Sequence, residues 1–500
     1  MKEIKKVTLI EPQPAGFHVY SRIVLPRLGL PILGAILKRQ GIDASIYCQS
    51  FTRADYADIL SSDLVGISTT TSTAPEAYRI ADRVRAAGVP VVFGGSHTSF
   101  MAEEALEHGD YSLSGEAETT FPQLIRAIEN GKGFSAINGL SYREGESIHH
   151  NPNRELIQDL DSLPFPDLSL IREHEKIKMT PVMTSRGCPF DCSFCTVTKM
   201  FGRCGRFRSV DNVIQELKWR RPEKVFFYDD NFAIDRNRSK ELLEAMLSEG
   251  LKFNWTAQVR ADVARDRELL RLMKRTNCYI VYVGLESINP ATLQEFNKRQ
   301  SVEEMVESIR LLHEHGIMIH GMFVIGADSD TAAGIRETAR FALRHKVDTA
   351  QFMVLTPLPG TQYYQQMDAG DRLLTKDWSF YDGAHVVYQP NRMSPDELQK
   401  EMVRAMRRFY RLTECVKMVA GIDFLAFLAK FNLNILRGRW RSAKRQLTSR
   451  TLKWFYRAHG HFLLKRWEVA NRDFGEFVRT LTERARRMSS RSNANLEGLD

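Results

Sequence analysis

Three cysteines stand close together in the segment TSRGCPFDCSFC: Cys188, Cys192 and Cys195. Thiolates are soft ligands that suit iron–sulfur clusters, zinc or copper(I). A structural zinc site normally has four protein ligands, often as two separated pairs. This triplet has no partner pair, although Cys204 lies nine residues further on and could complete a zinc site. The spacing of three residues and then two, with Gly187 before it and Phe194 inside it, better fits a cubane cluster held by three cysteines, whose fourth iron is open to a ligand.

The cysteine segment follows the first of six strand-like runs that alternate with helical patterns over residues 176–385. Six strand–helix units are too few for a closed eight-fold barrel. The pattern therefore predicts an open, partial (β/α)6 barrel of the TIM type. As in closed barrels, its functional residues are expected at the ends of the strands.

Residues 1–135 form an earlier region in which short apolar strands also alternate with helices. This pattern predicts a doubly wound, Rossmann-like parallel sheet with helices on both faces, and such a sheet binds ligands at the carboxyl ends of its strands. Small or polar residues stand at those ends: Ser68, Gly94, Gly95, Gly115 and Glu116. They suit close backbone approach to a ligand, with simple turn chemistry as the alternative. Residues 136–175 are rich in Pro, Asn and Asp and are predicted to be a linker.

Composition excludes several classes of protein. The 500 residues are 43% hydrophobic and 26% charged, which is globular, and they are too many for one ordinary core. No apolar run approaches the roughly 18 residues that a membrane-spanning helix needs, and the N-terminus carries no secretion signal. Seven cysteines make no disulfide scaffold. We expect a cytoplasmic protein, with a peripheral position on the inner membrane face left open.

Positive charge is concentrated in the last hundred residues. Residues 1–400 hold 48 Lys and Arg against 52 Asp and Glu, whereas residues 401–500 hold 22 against 9. A nearly balanced main part argues against a nucleic-acid partner. Residues 386–490 are predicted to be a basic helical region and 491–500 a disordered tail. The helical region could cap the barrel, present cations to an anionic substrate or contact a membrane surface.

The cysteine spacing, with an aromatic residue before the last Cys at the start of a six-unit barrel, resembles the radical S-adenosylmethionine superfamily. The resemblance implies a [4Fe-4S] cluster on the three cysteines and S-adenosylmethionine chelated at the open iron. It also implies cleavage of the sulfonium to a 5′-deoxyadenosyl radical, which removes hydrogen from an unactivated carbon. The cofactor carries the hard step and the protein holds and shields it.

Further matches to the family lie at successive strand ends: FFYDDNF, QVRAD, VGLES, FVIGADSDT and LTPLPGT. On this resemblance, Phe194 packs beside the cofactor, and Asp229 or Asp230 contacts the methionine amino group. Arg260 meets the cofactor carboxylate, and Glu286 accepts from the ribose hydroxyls or the amine. For the paired aspartates, a helix cap or a salt bridge is the structural alternative.

The N-terminal phrase VVFGGSHTSFMAEEALEHGDYSLSGEAETTF resembles the cobalamin-binding subclass of that superfamily. The resemblance implies a corrinoid lined by six residues: Ser68, Gly94, Gly95, His97, Gly115 and Glu116. The chain lacks Asp-x-His-x-x-Gly after the first strand, so neither His18 nor His97 is predicted to ligate cobalt. With only Cys48 in this region, the chain does not match the methylthiotransferase branch, which holds a second cluster there.

The resemblance implies a cobalamin-dependent C-methyltransferase acting on a small-molecule or lipid substrate, with reduced flavodoxin or ferredoxin as electron donor. The first alternative is a radical oxidative cyclase or rearrangement enzyme acting on a tetrapyrrole or an isoprenoid lipid. The second, from another class, is a corrinoid- or metal-binding regulatory protein with a basic arm.

Replacing one cysteine separates these hypotheses. Cys192→Ala is expected to abolish activity, because two thiolates should not hold a reducible cubane, whereas a regulatory protein that still binds its ligand would keep its function. Iron content and visible absorbance after anaerobic reconstitution measure the difference. A colourless wild-type protein with about one tightly bound zinc per chain would instead favour a zinc-stabilised scaffold.

Overall fold

A computed structural model describes residues 3–14, 25–414, 455, 457–471, 480 and 483. His18, Cys415 and most of the Trp- and Arg-rich stretch after it lie outside the described residues. Within the described part of the chain, no helix combines the length and apolar character needed to span a membrane.

The first sheet has seven strands: β1 (Lys6–Glu11), β2 (Asp43–Cys48), β3 (Leu64–Ser68), β4 (Val91–Gly94), β5 (Tyr111–Leu113), β6 (Leu140–Glu144) and β7 (Ser147–His150). Their spatial order is β2-β1-β3-β4-β5-β6-β7. The first five pair in parallel, and β6 and β7 add an antiparallel hairpin at the edge. Residues 140–150 therefore belong to this sheet, where the sequence predicted a linker, because a hairpin this short has too few alternating residues to be recognised.

Five helices connect these strands: α1 (Gly29–Arg39), α2 (Tyr56–Leu60), α3 (Ala74–Ala86), α4 (Ala102–His108) and α5 (Thr120–Asn130). The parallel strands are short and almost wholly buried, as expected for a sheet covered on both faces. The doubly wound fold predicted from the alternating pattern is confirmed.

The second sheet holds six parallel strands in the order β15-β14-β13-β12-β11-β8. The strands are β8 (Thr180–Val182), β11 (Lys224–Phe227), β12 (Asn254–Arg260), β13 (Cys278–Glu286), β14 (Met318–Ile325) and β15 (Thr349–Val354). The edge strands β8 and β15 do not pair, so the sheet is the open, partial (β/α)6 barrel expected. A two-stranded ribbon, β9 (Ser185–Arg186) with β10 (Arg206–Phe207), flanks the cysteine loop.

The helices of the second region are α6 (Val197–Phe201), α7 (Val210–Arg220), α8 (Arg236–Ser248), α9 (Arg267–Arg275), α10 (Pro290–Glu295), α11 (Val302–Glu314), α12 (Ala332–Arg344), α13 (Gln362–Ala369) and α14 (Pro395–Phe409). Side-chain caps begin many of them; at α11, Ser301 and Glu304 form a reciprocal capping box. Helix α14 packs on α12 and β15 through its apolar stripe, which includes Met402, Met406 and Phe409. Residues 457–470 form a further helix, here called the C-terminal helix.

A buried cluster of charges joins the two regions. The carboxylate of Glu116, just after β5, accepts from Arg186 on β9 (2.8 Å) and bidentately from Arg206 on β10 (2.9 Å for both pairs). Arg154 (3.0 Å) and the backbone N–H of Ile157 (3.0 Å) complete the set. Arg186 also reaches Glu118 at 2.5 Å. These carboxylate and guanidinium groups are almost wholly removed from solvent.

A second contact between the two regions involves the segment that follows the last strand of the barrel. The indole N–H of Trp378 donates to Glu104 on α4 at 2.7 Å. The same ring meets the imidazole of His97 edge-on at 5.1 Å. The chain thus returns to its N-terminal region after completing the barrel.

We expect Glu116→Gln to lower the free energy of unfolding by about 3–5 kcal/mol at pH 7, because it leaves buried guanidinium groups without their counter-charge. The arginines hold the pKa of Glu116 at about 2, below its ordinary 4.5, against the effect of burial. Its stabilising contribution is therefore complete above pH 4.5 and declines as the pH falls toward 2. Urea unfolding of wild type and variant across this range measures the difference.

Glu103→Gln is the matched control, since that carboxylate is exposed on α4 and pairs only with the exposed His150. An effect of Glu116→Gln no larger than that of the control at pH 7 would contradict the assignment.

Candidate functional site

The three cysteines lie on the loop between β9 and α6, at the carboxyl end of β8. All three are half-buried free thiols. Burial raises the pKa of each thiol, that of Cys195 to about 12. The surroundings alone thus favour the protonated form, and a coordinating metal is what converts such a thiol to a thiolate.

Neighbouring elements hold the cysteine loop from several sides. The backbone N–H of Ser193 donates to the carbonyl of Phe296 at 3.2 Å, and its hydroxyl donates to the carbonyl of Glu295 at 3.1 Å. Asn297 donates from its side-chain amide to the carbonyl of Asp191 at 2.8 Å. The ring of Phe194 packs edge-on against Phe296, with centroids 4.9 Å apart. The loop is therefore tied to the segment that follows α10.

Gly187 sets the entry into the loop. Its φ of +85° lies in the left-handed region, and a Cβ at this position would stand 2.3 Å from the carbonyl oxygen of Cys204. No side chain fits there without moving backbone. Cys204 itself is exposed. Among the described residues, no three His, Cys, Asp or Glu side chains are placed to hold a single metal ion.

The two aspartates after β11 have different surroundings. Asp229 is fully buried and accepts from the N–H (2.6 Å) and hydroxyl (2.6 Å) of Thr184 and from the N–H of Ser185 (2.9 Å). It stabilises the turn between β8 and β9. Both of its carboxylate oxygens are therefore engaged within the protein and not directed to a cofactor as the sequence had predicted. Asp230 lines the cavity described below and accepts from the N–H of Gly187 at 3.3 Å. Burial, then the charge of Asp229, raises the pKa of Asp230 to about 6.

Arg260 and Glu286 end β12 and β13 with part of their hydrogen-bonding capacity unused. Arg260 is 7% exposed, stacks over Phe190 at 3.8 Å and donates to the carbonyl of Arg299 at 3.2 Å. Its Nε makes no hydrogen bond, although a carboxylate oxygen of Asp262 lies 3.8 Å away, within ion-pair distance. Glu286 has a left-handed backbone, with φ of +58°, and pairs through one oxygen with Lys298 at 2.7 Å. Non-glycine residues held in this region often mark functional sites.

A cavity of about 330 Å³ lies between the two sheets. Predicted residues from the strand ends of the first region line one side: Ser68, Gly94, Gly95, Gly115 and Glu116. Residues just beyond Cys195 line the other: Thr196, Val197 and Met200. Gly95 is required at this rim, because a Cβ there would stand 2.3 Å from the carbonyl oxygen of Thr69.

Two predicted corrinoid-lining residues have other roles in the structure. His97 is not among the residues that line the cavity; its ring is fully buried between Trp378 and Thr71, whose hydroxyl lies 3.4 Å from Nδ1. Glu116 borders the cavity, but the three arginines engage both of its carboxylate oxygens. The sequence segment that contains His97 and Glu116 thus contributes to the interface between the two regions as well as to the cavity.

Sequence reasoning missed other residues of the cavity wall, among them Arg27, Met183 and Tyr228. Tyr228 stood within the quoted FFYDDNF, one residue before the aspartates, so its place at a strand end was the available signal. Burial raises its pKa to about 12, so the phenol stays protonated at neutral pH. Arg27 donates to the carbonyl of Ser68 at 3.3 Å. Nothing in its local pattern indicated this contact.

Comparison with protein families identifies both regions. Residues 182–342 match the model of the radical SAM superfamily, and residues 21–125 match that of the B12-binding domain. The chain belongs to the radical S-adenosylmethionine superfamily. With its N-terminal domain, it is a cobalamin-dependent member.

Relatives span most of this radical S-adenosylmethionine enzyme. An uncharacterized methyltransferase of Pyrococcus horikoshii is 30% identical, over 82% of this chain and 93% of the relative. The bacteriochlorophyllide d C-12(1)-methyltransferase of Chlorobaculum tepidum is 29% identical, over 84% and 90%. An anaerobic magnesium-protoporphyrin IX monomethyl ester cyclase of Cereibacter sphaeroides is 30% identical, over 69% and 60%.

A solved structure shares the fold. The cobalamin-dependent S-adenosylmethionine radical enzyme OxsB with aqua-cobalamin bound aligns with a TM-score of 0.67 at 17% identity, over 95% of this chain and 84% of OxsB. The two family matches support the predicted cofactors, a [4Fe-4S] cluster, S-adenosylmethionine and cobalamin. The residues of this chain fit these cofactors: three free thiols lie on one loop, a buried guanidinium nitrogen of Arg260 makes no hydrogen bond, and the glycine rim of the cavity leaves space that side chains would fill.

We expect Gly187→Ala to lower the iron content after anaerobic reconstitution severalfold, because the added Cβ pushes the cysteine loop away from Cys204. Gly334→Ala on α12 is the control, since its Cβ would meet only ordinary contacts, the nearest 3.4 Å away at the Thr331 hydroxyl. Iron per chain measures the effect. A Gly187→Ala protein that retains a wild-type cluster would show that this backbone conformation does not shape the loop.

Proposed function

We propose that the enzyme is a C-methyltransferase that acts on an unactivated carbon. The observation that carries this proposal is the cavity between the two regions, which has the glycine rim of the cobalamin-binding domain on one side and residues directly after Cys195 on the other. Methyl transfer to a carbon radical needs both cofactors to face one space, and this cavity borders both regions.

Residue roles follow from the contacts described above. We assign the three cysteines to the cluster, with Phe194 packed behind their loop. Arg260 is assigned to the carboxylate of S-adenosylmethionine, because its Nε–H makes no hydrogen bond and can donate a charge-assisted one. Glu286 is assigned to the ribose hydroxyls, because Lys298 engages only one of its oxygens. Asp230 is assigned to the amino group, since Asp229 is already engaged.

The corrinoid side is assigned to Ser68, Gly94, Gly95 and Gly115, which combine small size with exposure to the cavity. When bound, the cluster with S-adenosylmethionine supplies a carbon-centred radical that removes a hydrogen atom, and the corrinoid supplies the methyl group. The chain contributes a mainly apolar wall, including Met183, Val197 and Met200, that keeps water from the reacting carbon. Polar side chains also line this cavity, among them Tyr228, Arg27 and Asp230.

A cyclase is the second candidate, because a cyclase of comparable identity stands among the relatives. Product analysis of anaerobically reconstituted enzyme, supplied with cobalamin, S-adenosylmethionine and a reductant, separates the two. Methyl transfer is expected to yield S-adenosylhomocysteine and 5′-deoxyadenosine together with a product 14 mass units heavier. Cyclisation yields 5′-deoxyadenosine without S-adenosylhomocysteine.

The candidate substrates for this experiment are bacteriochlorophyllide d and magnesium-protoporphyrin IX monomethyl ester, followed by isoprenoid lipids and peptides. Cys192→Ala is the control for cofactor-independent background. Ring formation without S-adenosylhomocysteine would overturn the methyltransferase in favour of the cyclase.

Replacing Arg260 tests its assignment separately. We expect Arg260→Ala to weaken binding of S-adenosylmethionine about 10- to 100-fold, since a hydrogen bond to a charged group contributes about 1.5–3 kcal/mol. Equilibrium binding to the cluster-loaded enzyme measures it, with the exposed Arg275→Ala on α9 as control. Unchanged affinity at wild-type iron content would remove Arg260 from the site.

Two partner interactions also belong to this proposal. The cluster requires one-electron reduction, and we propose reduced flavodoxin or ferredoxin as the donor. We further propose that the protein is cytoplasmic and contacts the inner membrane face peripherally through its basic C-terminal region. The charge excess of residues 401–500 supports this contact.

A further inference from the structure

The end of α14 and the C-terminal helix enclose a groove of about 540 Å³ on the surface, remote in sequence from the cysteine loop. Four cations line it: Arg407, Arg408, Arg411 and Lys465. Its carboxylates are Glu468 and Glu414. Glu468 pairs with Arg407 at 2.6 Å, and Glu414 makes an interaction of its own. The groove thus carries an excess of positive charge.

The three other cations of the groove have no ion-pair partner among the described residues. Within the part of the chain that the structure describes, no carboxylate lies within ion-pair distance of Arg408, Arg411 or Lys465, and all three side chains are exposed. Elsewhere on α14, by contrast, Lys400 pairs with Asp396 and Arg404 with Glu401. Adjacent like charges without counter-charges create a positive potential that attracts an anionic partner.

The C-terminal helix is apolar on two opposite faces. Leu463, Leu464 and Trp467 are buried against the protein, which explains why the helix docks. On the outer face, Phe462 is 60% exposed and Val469 is 64% exposed. Seven residues apart, these two side chains lie on the same side of the helix. Lys465 lies between them in sequence and is likewise exposed. Docking therefore accounts for only one of the two apolar faces.

A third exposed apolar side chain directly follows one of the groove's cations in sequence. Leu412, next to Arg411, is 45% exposed. Single exposed apolar residues need no explanation. Here, however, three of them accompany three unpaired cations, and that combination is typical of surfaces that lie in the headgroup region of a bilayer.

We propose that this surface, defined as Arg408, Arg411, Leu412, Phe462, Lys465 and Val469, binds the phosphate headgroups and the upper acyl region of an anionic phospholipid bilayer. The inference rests on the membrane contact proposed above and gives it a location. A soluble phosphate would satisfy the cations but leave Phe462 and Val469 in water. A bilayer surface offers both partners in one plane, with the phosphates outside and the acyl chains below.

Sedimentation with vesicles tests the proposal on the full-length, cluster-loaded enzyme. Vesicles of phosphatidylglycerol and phosphatidylcholine in a 1:2 ratio are compared with vesicles of phosphatidylcholine alone. We expect binding to the anionic vesicles that weakens as salt is raised, because the cations contribute through screened electrostatics. The triple variant Arg408→Glu, Arg411→Glu, Lys465→Glu is expected to lose at least tenfold in affinity.

A matched charge variant separates location from net charge. Lys132→Glu, Lys252→Glu, Arg271→Glu reverses three exposed cations elsewhere and is expected to reduce binding at most twofold. Phe462→Ser with Val469→Ser is expected to weaken binding severalfold without changing its salt dependence. Thermal unfolding and cleavage of S-adenosylmethionine without lipid are expected to stay at wild-type values in all variants.

The outcomes distinguish the two proposals. If the wild-type enzyme does not bind anionic vesicles, both the proposed membrane contact and this surface are wrong. If the triple variant binds anionic vesicles with the same affinity as the wild type, the membrane contact stands but its assignment to this surface is wrong. If 10 mM inorganic phosphate stabilises the wild type but not the triple variant, and no vesicles sediment with it, the groove takes a soluble anion and the bilayer assignment is wrong. Methyl transfer stands or falls independently of all three results.

Discussion

A buried carboxylate gripped by three guanidinium groups determines how the two halves of this enzyme meet. Glu116 follows β5 of the first sheet, whereas Arg186 and Arg206 belong to the ribbon that flanks the cysteine loop. Removing these charges from water is unfavourable and is offset only when the geometry is close to ideal. The bidentate pairing with Arg206 meets that condition, so small rotations of one half against the other are opposed. The distance from the glycine rim to the cysteine loop is thereby held nearly constant.

Polar residues at the strand ends have two kinds of role: some hold the fold together, and others remain able to bind a ligand. Both carboxylate oxygens of Asp229 stabilise the turn into the cysteine loop. Both carboxylate oxygens of Glu116 accept hydrogen bonds at the interface between the two regions. Arg260 and Glu286 can still form further hydrogen bonds, since a guanidinium nitrogen of Arg260 makes none and Lys298 engages only one oxygen of Glu286. Radical chemistry demands such an arrangement, because a mobile donor near a reactive carbon centre would invite side reactions.

Local patterns in the sequence predicted the fold and the cysteine loop, because alternating strands and helices and a compact thiol motif depend on neighbours along the chain. The roles of Asp229, His97 and Glu116 depend on distant partners, such as Thr184, Thr71 and Arg206, which lie 45, 26 and 90 residues away along the chain. Spacing does not reveal which of two adjacent aspartates turns inward. The β6–β7 hairpin escaped notice because four- and five-residue strands give almost no periodic signal.

The contact between Trp378 and Glu104 has a consequence for engineering. The chain crosses from the first domain to the barrel through one connector and then comes back to touch the first domain again. A graft of this N-terminal domain onto a foreign barrel, cut only at the connector, would lose the returning indole and leave Glu104 without that donor. An exchange of the N-terminal domain between enzymes of this architecture must therefore include the segment around Trp378, because that segment contacts the domain.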